Sequence, residues 1–418
     1  MNPARRWLSL SLLLVGLAVH GIFQVIPARD AVWHRRNGAD FASYYYGYKV
    51  AAQGGDPYAN PELDRMAKAE HSRTSVRPFF YPPPFLFTMA WVQHYKILAA
   101  FRLMLVLNEL LLLGCLGVLW AGFGVPAGAI GVLLMVWSPI PDNMKMGQAN
   151  LIALLPALLG LWIARLQGAA IRRWAPWVGG VLLGTAAMFK MSPALFLLFW
   201  AMRREWKPCI AAAATAVGLS LLSLPLVPLA TQWEFYTEVL PGFAHGEYHG
   251  LTVAISLAGN HSIPDIFNSL WPGPNATSLG KNAILASRIV SVGMLAWWFL
   301  RARRLTDVRG TARALGALTV LMVILPTYTY EHHLVFLLLP VGVLIAEVFT
   351  KVASAPLREL LRDRKRLVWL ACAVLAVALA APPLHLVKDL SKAVPPELSP
   401  LVRESKFIGL MGLFFLLL

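Results

Sequence analysis

Five short polar clusters interrupt an otherwise apolar chain, and each carries groups able to handle a proton, a sugar or a phosphate. Asp40 opens the run Asp40-Phe41-Ala42-Ser43-Tyr44-Tyr45-Tyr46. A carboxylate there can serve as a general base for a hydroxyl at a membrane surface. The same residue is a good N-cap for a helix that runs to Gln53 and ends at Gly54, so capping and catalysis both stand as readings. The tyrosines then suit an interfacial aromatic belt. Arg77, before Phe79-Phe80-Tyr81-Pro82-Pro83-Pro84, either meets a phosphate or snorkels to the headgroups. In Gly147-Gln148-Ala149-Asn150, the amides either cap the following apolar helix or hydrogen-bond sugar hydroxyls. Lys190 stands between two apolar runs, ahead of Ser192-Pro193. Burying its charge in a membrane is costly; a bound phosphate offsets that cost, and snorkelling avoids it. Glu331-His332-His333 lies at the mouth of another apolar run.

A metal is not expected. The spacing H-E-x-x-H is absent, and His245 and His249 are flanked by Gly246 and Gly250, which weaken a helix. Contact of His332 or His333 with a phosphate or sugar fits better. Neither a glycine-rich nucleotide loop nor a D-x-D motif is present, so a nucleotide-sugar donor is disfavoured and no cofactor is called for. Within an apolar run, Glu109 can pair with Arg102. Cys115, Cys209 and Cys372 lie in apolar windows without metal-ligand spacing and read as buried small hydrophobes. Asn260-His261-Ser262 and Asn275-Ala276-Thr277 match the N-glycosylation pattern, which is too short to decide anything.

The elements that must hold these clusters are membrane helices. Of 418 residues, 58% are hydrophobic and 14% charged, against about one-quarter charged in a soluble domain. Apolar windows run over 7–26, 97–123, 126–137, 151–163, 177–189, 194–202, 209–229, 283–300, 314–325, 334–349, 367–381 and 407–418. The expectation is an all-α, polytopic membrane protein with about 11–12 transmembrane or half-membrane helices, forming one integral membrane domain over 1–418. The first window is long for a signal peptide and no clear cleavage site follows it, so it reads as an uncleaved first span. The formal charge of +16 does not indicate nucleic acid, because the basic residues sit in short loops between apolar runs.

Those loops set the orientation. Arg5 and Arg6, then Arg165, Arg172 and Arg173, then Arg203, Arg204 and Lys207 fall on one side. Arg301, Arg303, Arg304 and Arg309 join them, as do Arg362, Arg364, Lys365 and Arg366. Short Lys/Arg-rich loops face the cytoplasm. The count closes when 177–202 forms a hairpin whose tip is 190–193, where proline disfavours helix in the residue before it. The polar clusters then share the external side, with a long first outer loop over 28–96 and a second large one over 231–282.

Taken together, Asp40-Phe41, Tyr45, Gly55-Asp56-Pro57-Tyr58, Tyr81-Pro82-Pro83, Gly147-Gln148, Asn150 and Lys190 through Pro193 resemble glycosyltransferase family 87. Asn260-His261-Ser262 and Glu331-His332-His333 follow in the expected order, so the resemblance runs from Asp40 to about residue 340. It implies a GT-C-type membrane enzyme, a hexosyl- and in the first place mannosyltransferase. Such enzymes take the sugar from a polyprenyl-phosphate donor and pass it, with inversion, to a lipid or glycan acceptor. It implies Asp40 as the base and one of His332 or His333 lining the site; Lys190, Arg77, Gln148, Asn150, Tyr45 and Asn260 are the further candidates for contact with the donor phosphate or sugar. The partners are then the lipid-linked donor, the acceptor and the surrounding membrane lipids, in the cell membrane. A transporter or flippase of lipid-linked sugars is the rival reading, although only one half of the chain has an obvious helix break. A lipid-linked polymer ligase, relying on an outer Arg/His pair, is another.

The loop charges make a direct prediction. Reporters fused after Asp56, Asn275 and Ser391 register the external side, and fusions after Gln167, Arg304 and Arg364 register the cytoplasm. A cytoplasmic signal at Asp56 contradicts the assignment.

Overall fold

The computed structural model describes residues 3–33, 38–72, 76–166, 168, 170–245, 254–256, 259–353, 359 and 362–418. The described residues form helices and no named strand. Four helical stretches are long and apolar enough to cross a membrane: Arg6–Asp30, Ile97–Phe123, Lys281–Ala302 and Glu331–Val352. Six shorter apolar helices, among them Asn150–Ile163, Ala175–Phe189 and Ser405–Leu417, pack with them, as does the buried helix Val308–Ile324. Arg364–Ala380 and Leu384–Ala393 form a pair bent by 96°, so a helix break occurs in the second half of the chain as well as at Lys190. At 1.5 Å per residue, the 27 residues of Ile97–Phe123 reach about 40 Å, beyond the roughly 30 Å hydrocarbon core. That helix stops where Gly124 takes a left-handed φ of 67°. Leu14, Phe23, Leu110, Leu285 and Val374 are each 60–69% exposed on the outside of the bundle, as lipid contact requires.

Several expectations change in detail. The first helix does not end at residue 26; it continues through a π-turn, Gly21–Val25, to Trp33. Glu109 pairs across helices with His20 at 3.0 Å rather than with Arg102. Only Cys115 is fully buried, while Cys209 is half-buried and Cys372 exposed, because the last two sit on outward helix faces. The segment 28–96, expected as a long loop, is largely helical among its described residues, holding Ala39–Ala52, Asn60–Ala69 and the 3-10 helix Pro83–His94. His249 lies outside the described residues.

The bundle has two chemically distinct ends. The helix Asn150–Ile163 starts at Asn150 and runs out at Arg165, whereas Ala175–Phe189 begins after Arg172 and Arg173 and ends at Lys190. One end therefore gathers arginines: Arg203 donates to the Leu305 carbonyl at 2.6 Å, and Arg313 meets Glu347 at 3.3 Å. The other end gathers the polar clusters. The chain breaks within the expected stretch 190–193, but the extended residue is Lys190 (φ −155°, ψ 127°), whereas Ser192 and Pro193 lie inside the 3-10 turn Ser192–Phe196, so the break precedes the residue that Pro193 restricts.

Close helix contacts hold the bundle where lipid removes any hydrophobic drive between helices. Gly16 and Gly131 meet so tightly that a Cβ on Gly131 would sit 2.1 Å from the Leu12 carbonyl oxygen. Gly131→Leu should therefore force the first helix away from Ala127–Val136. Overpacking of this kind costs about 1–3 kcal/mol and lowers the thermal unfolding midpoint of the purified protein in detergent. An unchanged midpoint contradicts the contact.

Candidate functional site

The site begins with another close approach between backbones. Gly38 is the N-cap of Ala39–Ala52, and a Cβ there would lie 2.3 Å from the Met146 carbonyl oxygen. Gly147 follows with a φ of 63°, and a Cβ on it would press into Phe101 and Phe41. Two residues without side chains thus seat the start of the Asp40 helix on the turn that carries Gln148. Asp40 sits in the first turn of its helix and caps nothing, so its carboxylate is free for other work. The helix N-terminus favours its negative charge.

A hydrogen-bond chain then leads from Asp40 to Lys190. Gln148 Nε2 donates to Asp40 Oδ2 at 2.6 Å. Gln148 Oε1 accepts from the Tyr44 hydroxyl at 2.9 Å and from Tyr81 at 3.2 Å. Two phenols on one amide oxygen decide the orientation of the amide and turn its NH2 toward Asp40. The Tyr44 and Tyr81 hydroxyl oxygens lie 2.8 Å apart. Burial raises both phenols above the ordinary tyrosine value, which keeps them protonated and able to donate. Lys190 Nζ donates to the Tyr81 hydroxyl at 3.4 Å and lies 5.4 Å from the Tyr81 ring centre and 5.7 Å from that of Phe336.

Lys190 also anchors a second chain. Its ammonium donates to Asn150 Oδ1 at 2.5 Å. Asn150 Nδ2 donates in turn to the His332 carbonyl at 2.8 Å and to Asn143 Oδ1 at 3.0 Å. Asn143 donates onward to Asn108 Oδ1 at 3.3 Å. Within this buried polar file, Lys190 forms no ion pair among the described residues. Asp40 and Arg77 form the open side of the site, where the guanidinium Nε stands 3.8 Å from Asp40 Oδ1. Arg77 is 48% exposed at its side chain and Asp40 only 14%. Burial raises the Asp40 carboxyl above the ordinary aspartate value; Arg77, Gln148 and Lys190 oppose that shift.

The histidines complete the wall. The His332 and His333 rings are 4.3 Å apart between centres, edge to face. The Tyr330 backbone N–H donates to His333 Nδ1 at 3.2 Å. A neutral His333 therefore carries its proton on Nε2 and presents a donor. Glu331 points elsewhere and pairs with His261 and Lys406.

The structure thus brings together Asp40, Arg77, Gln148, Asn150, Lys190, His332 and His333. Two expected residues lie apart. Tyr45 turns to the opposite face of its helix and donates to the Tyr95 carbonyl at 2.9 Å. Asn260 is buried, and its side chain is spent on backbone: it donates to the Ile255 and Thr327 carbonyls and accepts from Thr329 N–H. That burial also withholds it from glycosylation in the folded chain. Sequence reading missed Tyr44 and Asn143. Helical spacing was the available signal, since Tyr44 is four residues after Asp40 and Asn143 is seven before Asn150. Among the described residues, no three His, Cys, Asp or Glu side chains converge as a metal site would need.

The arrangement pairs a half-shielded carboxylate with cationic and neutral donors. It can accept a proton at Asp40 and neutralise an anion between Arg77, Lys190 and the histidines.

Comparison with known proteins gives one family model: residues 79–326, more than half of the chain, match Glycosyltransferase family 87. Asp40, His332 and His333 lie outside the matched stretch. A polyprenol-phosphate-mannose-dependent alpha-(1-2)-phosphatidylinositol mannoside mannosyltransferase of Mycobacterium tuberculosis is 29% identical over 184 residues, 39% of this chain and 40% of that protein. A Mycolicibacterium smegmatis protein of the same name is 33% identical over 114 residues, 27% of this chain and 24% of that protein. The polyprenol-phosphate-mannose-dependent alpha-(1-2)-phosphatidylinositol pentamannoside mannosyltransferase of M. smegmatis is 25% identical over 332 residues, covering 72% of this chain and 68% of that protein. The matches to the first two relatives thus span less than half of each relative's length. No solved structure matches.

Asn150 links three parts of this site: Lys190, Asn143 and the His332 carbonyl. Asn150→Leu removes an acceptor from the Lys190 ammonium and the side-chain donor from the His332 carbonyl. Leaving a buried polar group unpaired costs about 1–3 kcal/mol, so the variant's thermal unfolding midpoint in detergent falls below that of the parent. Parental stability contradicts the hydrogen bonds assigned to Asn150.

Proposed function

The chain belongs to glycosyltransferase family 87, and from that premise we propose that it transfers a hexose from a polyprenyl-phosphate donor to a hydroxyl of a lipid or glycan acceptor. Mannose is the first candidate, because the relatives' names specify polyprenol-phosphate-mannose. The whole chain acts as one integral membrane domain of the cell membrane, with its site on the extracytoplasmic face.

One observation carries the reading: Asp40 and Lys190 are joined through Gln148, Tyr44 and Tyr81 at the bundle end away from the arginine-rich loops. The reaction needs a base at the acceptor hydroxyl and cations within reach of the leaving phosphate. Asp40 takes the acceptor's hydroxyl proton while that oxygen bonds to the anomeric carbon. The bond from the anomeric carbon to the phosphate oxygen breaks, and the phosphate leaves with the electron pair. Attack opposite the leaving group inverts the linkage. Lys190 and Arg77 neutralise the charge that builds on the phosphate, and an Nε2–H of His333 can donate to it or to the sugar. A polyprenyl phosphate needs no further activation as a leaving group. Gln148 holds the Asp40 carboxylate in place without removing its charge.

Asp40→Asn tests the base. Asp40 caps no helix, so the variant should fold and bind donor normally. Its transfer rate should fall by about 10²–10⁴-fold, the usual loss when a positioned base is removed. In the parent enzyme the base must be ionised. Since burial raises the Asp40 carboxyl, kcat/KM should fall with decreasing pH at a higher pH than an ordinary aspartate would give. A variant within a few-fold of the parent, or a parent profile flat down to the ordinary aspartate range, rejects Asp40 as the base.

A further inference from the structure

The mechanism above leaves one buried charged cluster without a role. Lys406, at the start of the final helix Ser405–Leu417, is fully buried. Its ammonium is paired with Glu331 Oε1, and Glu331 Oε2 meets His261 Nε2 at 3.2 Å. Glu331 is 5% exposed and His261 is completely buried. Replacing a buried ion pair by apolar residues of similar volume is often neutral or stabilising, so the pair is weak evidence for a stability role. Its position is more informative. Glu331 immediately precedes the two histidines. The segment 327–333 is fastened from several directions: Asn260 accepts from Thr329 N–H, His261 N–H donates to the Thr329 carbonyl, and Ser262 Oγ donates to the Thr327 carbonyl. The last helix adds its lysine to this clamp.

We propose that Lys406 is a positioning residue for the donor-phosphate side of the site. Its influence runs through Glu331 to the next residue, whose carbonyl holds Asn150 at 2.8 Å, and from Asn150 Oδ1 to Lys190 at 2.5 Å. The ion pair fixes where the His332 carbonyl stands, the carbonyl fixes the Asn150 amide, and the amide oxygen aims the Lys190 ammonium. The final helix, which lies beyond the family-matched residues 79–326, is on this account part of the phosphate-handling machinery. The inference rests on the proposal that Lys190 binds the donor phosphate.

The test is a double-mutant cycle on purified, reconstituted full-length protein, with polyprenyl-phosphate mannose as the varied substrate. Lys406→Met alone strands a buried carboxylate, so the variant used is Glu331→Gln/Lys406→Met, which removes both charges and keeps an acceptor for His261. Monodispersity and unfolding midpoint establish that it is folded. The expected result is a donor KM raised roughly tenfold, with kcat changed much less, as residues in one network couple by that order. In a Lys190→Met background, where donor KM is already raised, the same pair of substitutions should add less than about twofold, because the path they act through is gone. An equal rise in both backgrounds would show general packing and overturn the inference. So would a parental KM in the Glu331→Gln/Lys406→Met variant while Lys190→Met remains impaired. A Lys190→Met enzyme with parental donor KM would reject the phosphate assignment of Lys190 itself, and the inference with it.

Discussion

The 2.6 Å hydrogen bond from Gln148 to Asp40 joins two parts of the chain more than a hundred residues apart, and the site depends on it. It forms because Gly38 and Gly147 let two backbone segments approach more closely than any side chain would allow. Tyr44 and Tyr81 then hold the amide so that its donor end, not its acceptor end, meets the carboxylate. An amide turned the other way would set two acceptors against each other. From that single contact the carboxylate acquires a fixed direction, and the cations acquire a fixed distance from it.

Desolvation explains why so many amides and phenols surround two charged groups. An isolated ion inside a membrane protein is costly, and each polar group taken from water needs a partner. Lys190 is held by an amide oxygen, a phenol and two aromatic faces rather than by a carboxylate. A lysine neutralised by its own protein would have little left to offer a phosphate. Glu331 shows the contrast, since Lys406 and His261 occupy both of its oxygens. Two carboxyl groups thus have opposite fates: half-shielded Asp40 is presented to the open side, and buried Glu331 ties elements together.

Much of this was legible in the sequence where local chemistry decides local structure. The chain breaks at Lys190, within the stretch where Pro193 marked a break, and most apolar windows became helices within a few residues of the expected limits. The exceptions include the first, which runs on to Trp33, and 209–229, whose helix Trp206–Leu222 stops seven residues early. The order Asp40, Gln148, Asn150, Lys190 named residues that the fold brings into one file. The failures came where a partner lay on a distant element. Tyr45 stood beside Asp40 in sequence, yet the helical period puts Tyr44 on the Asp40 face and turns Tyr45 to the Tyr95 carbonyl. Glu109 had Arg102 within two turns, but His20 of another helix took it. Asn260 matched a pattern of polar residues and serves a backbone turn instead. Lys406 gave no signal at all, because its partner is 75 residues away and nothing in its own neighbourhood marks it.

The central claim is that this geometry serves a lipid-linked sugar, with the leaving phosphate held between Lys190 and Arg77. The most direct measurement uses purified protein in proteoliposomes, without added divalent metal. It is offered radiolabelled mannose either on a polyprenyl phosphate or on a nucleoside diphosphate, together with extracted membrane lipids as acceptors. The account predicts labelled acceptor from the polyprenyl-phosphate donor and none above background from the nucleotide sugar. Transfer from the nucleotide sugar with none from the lipid donor would contradict it.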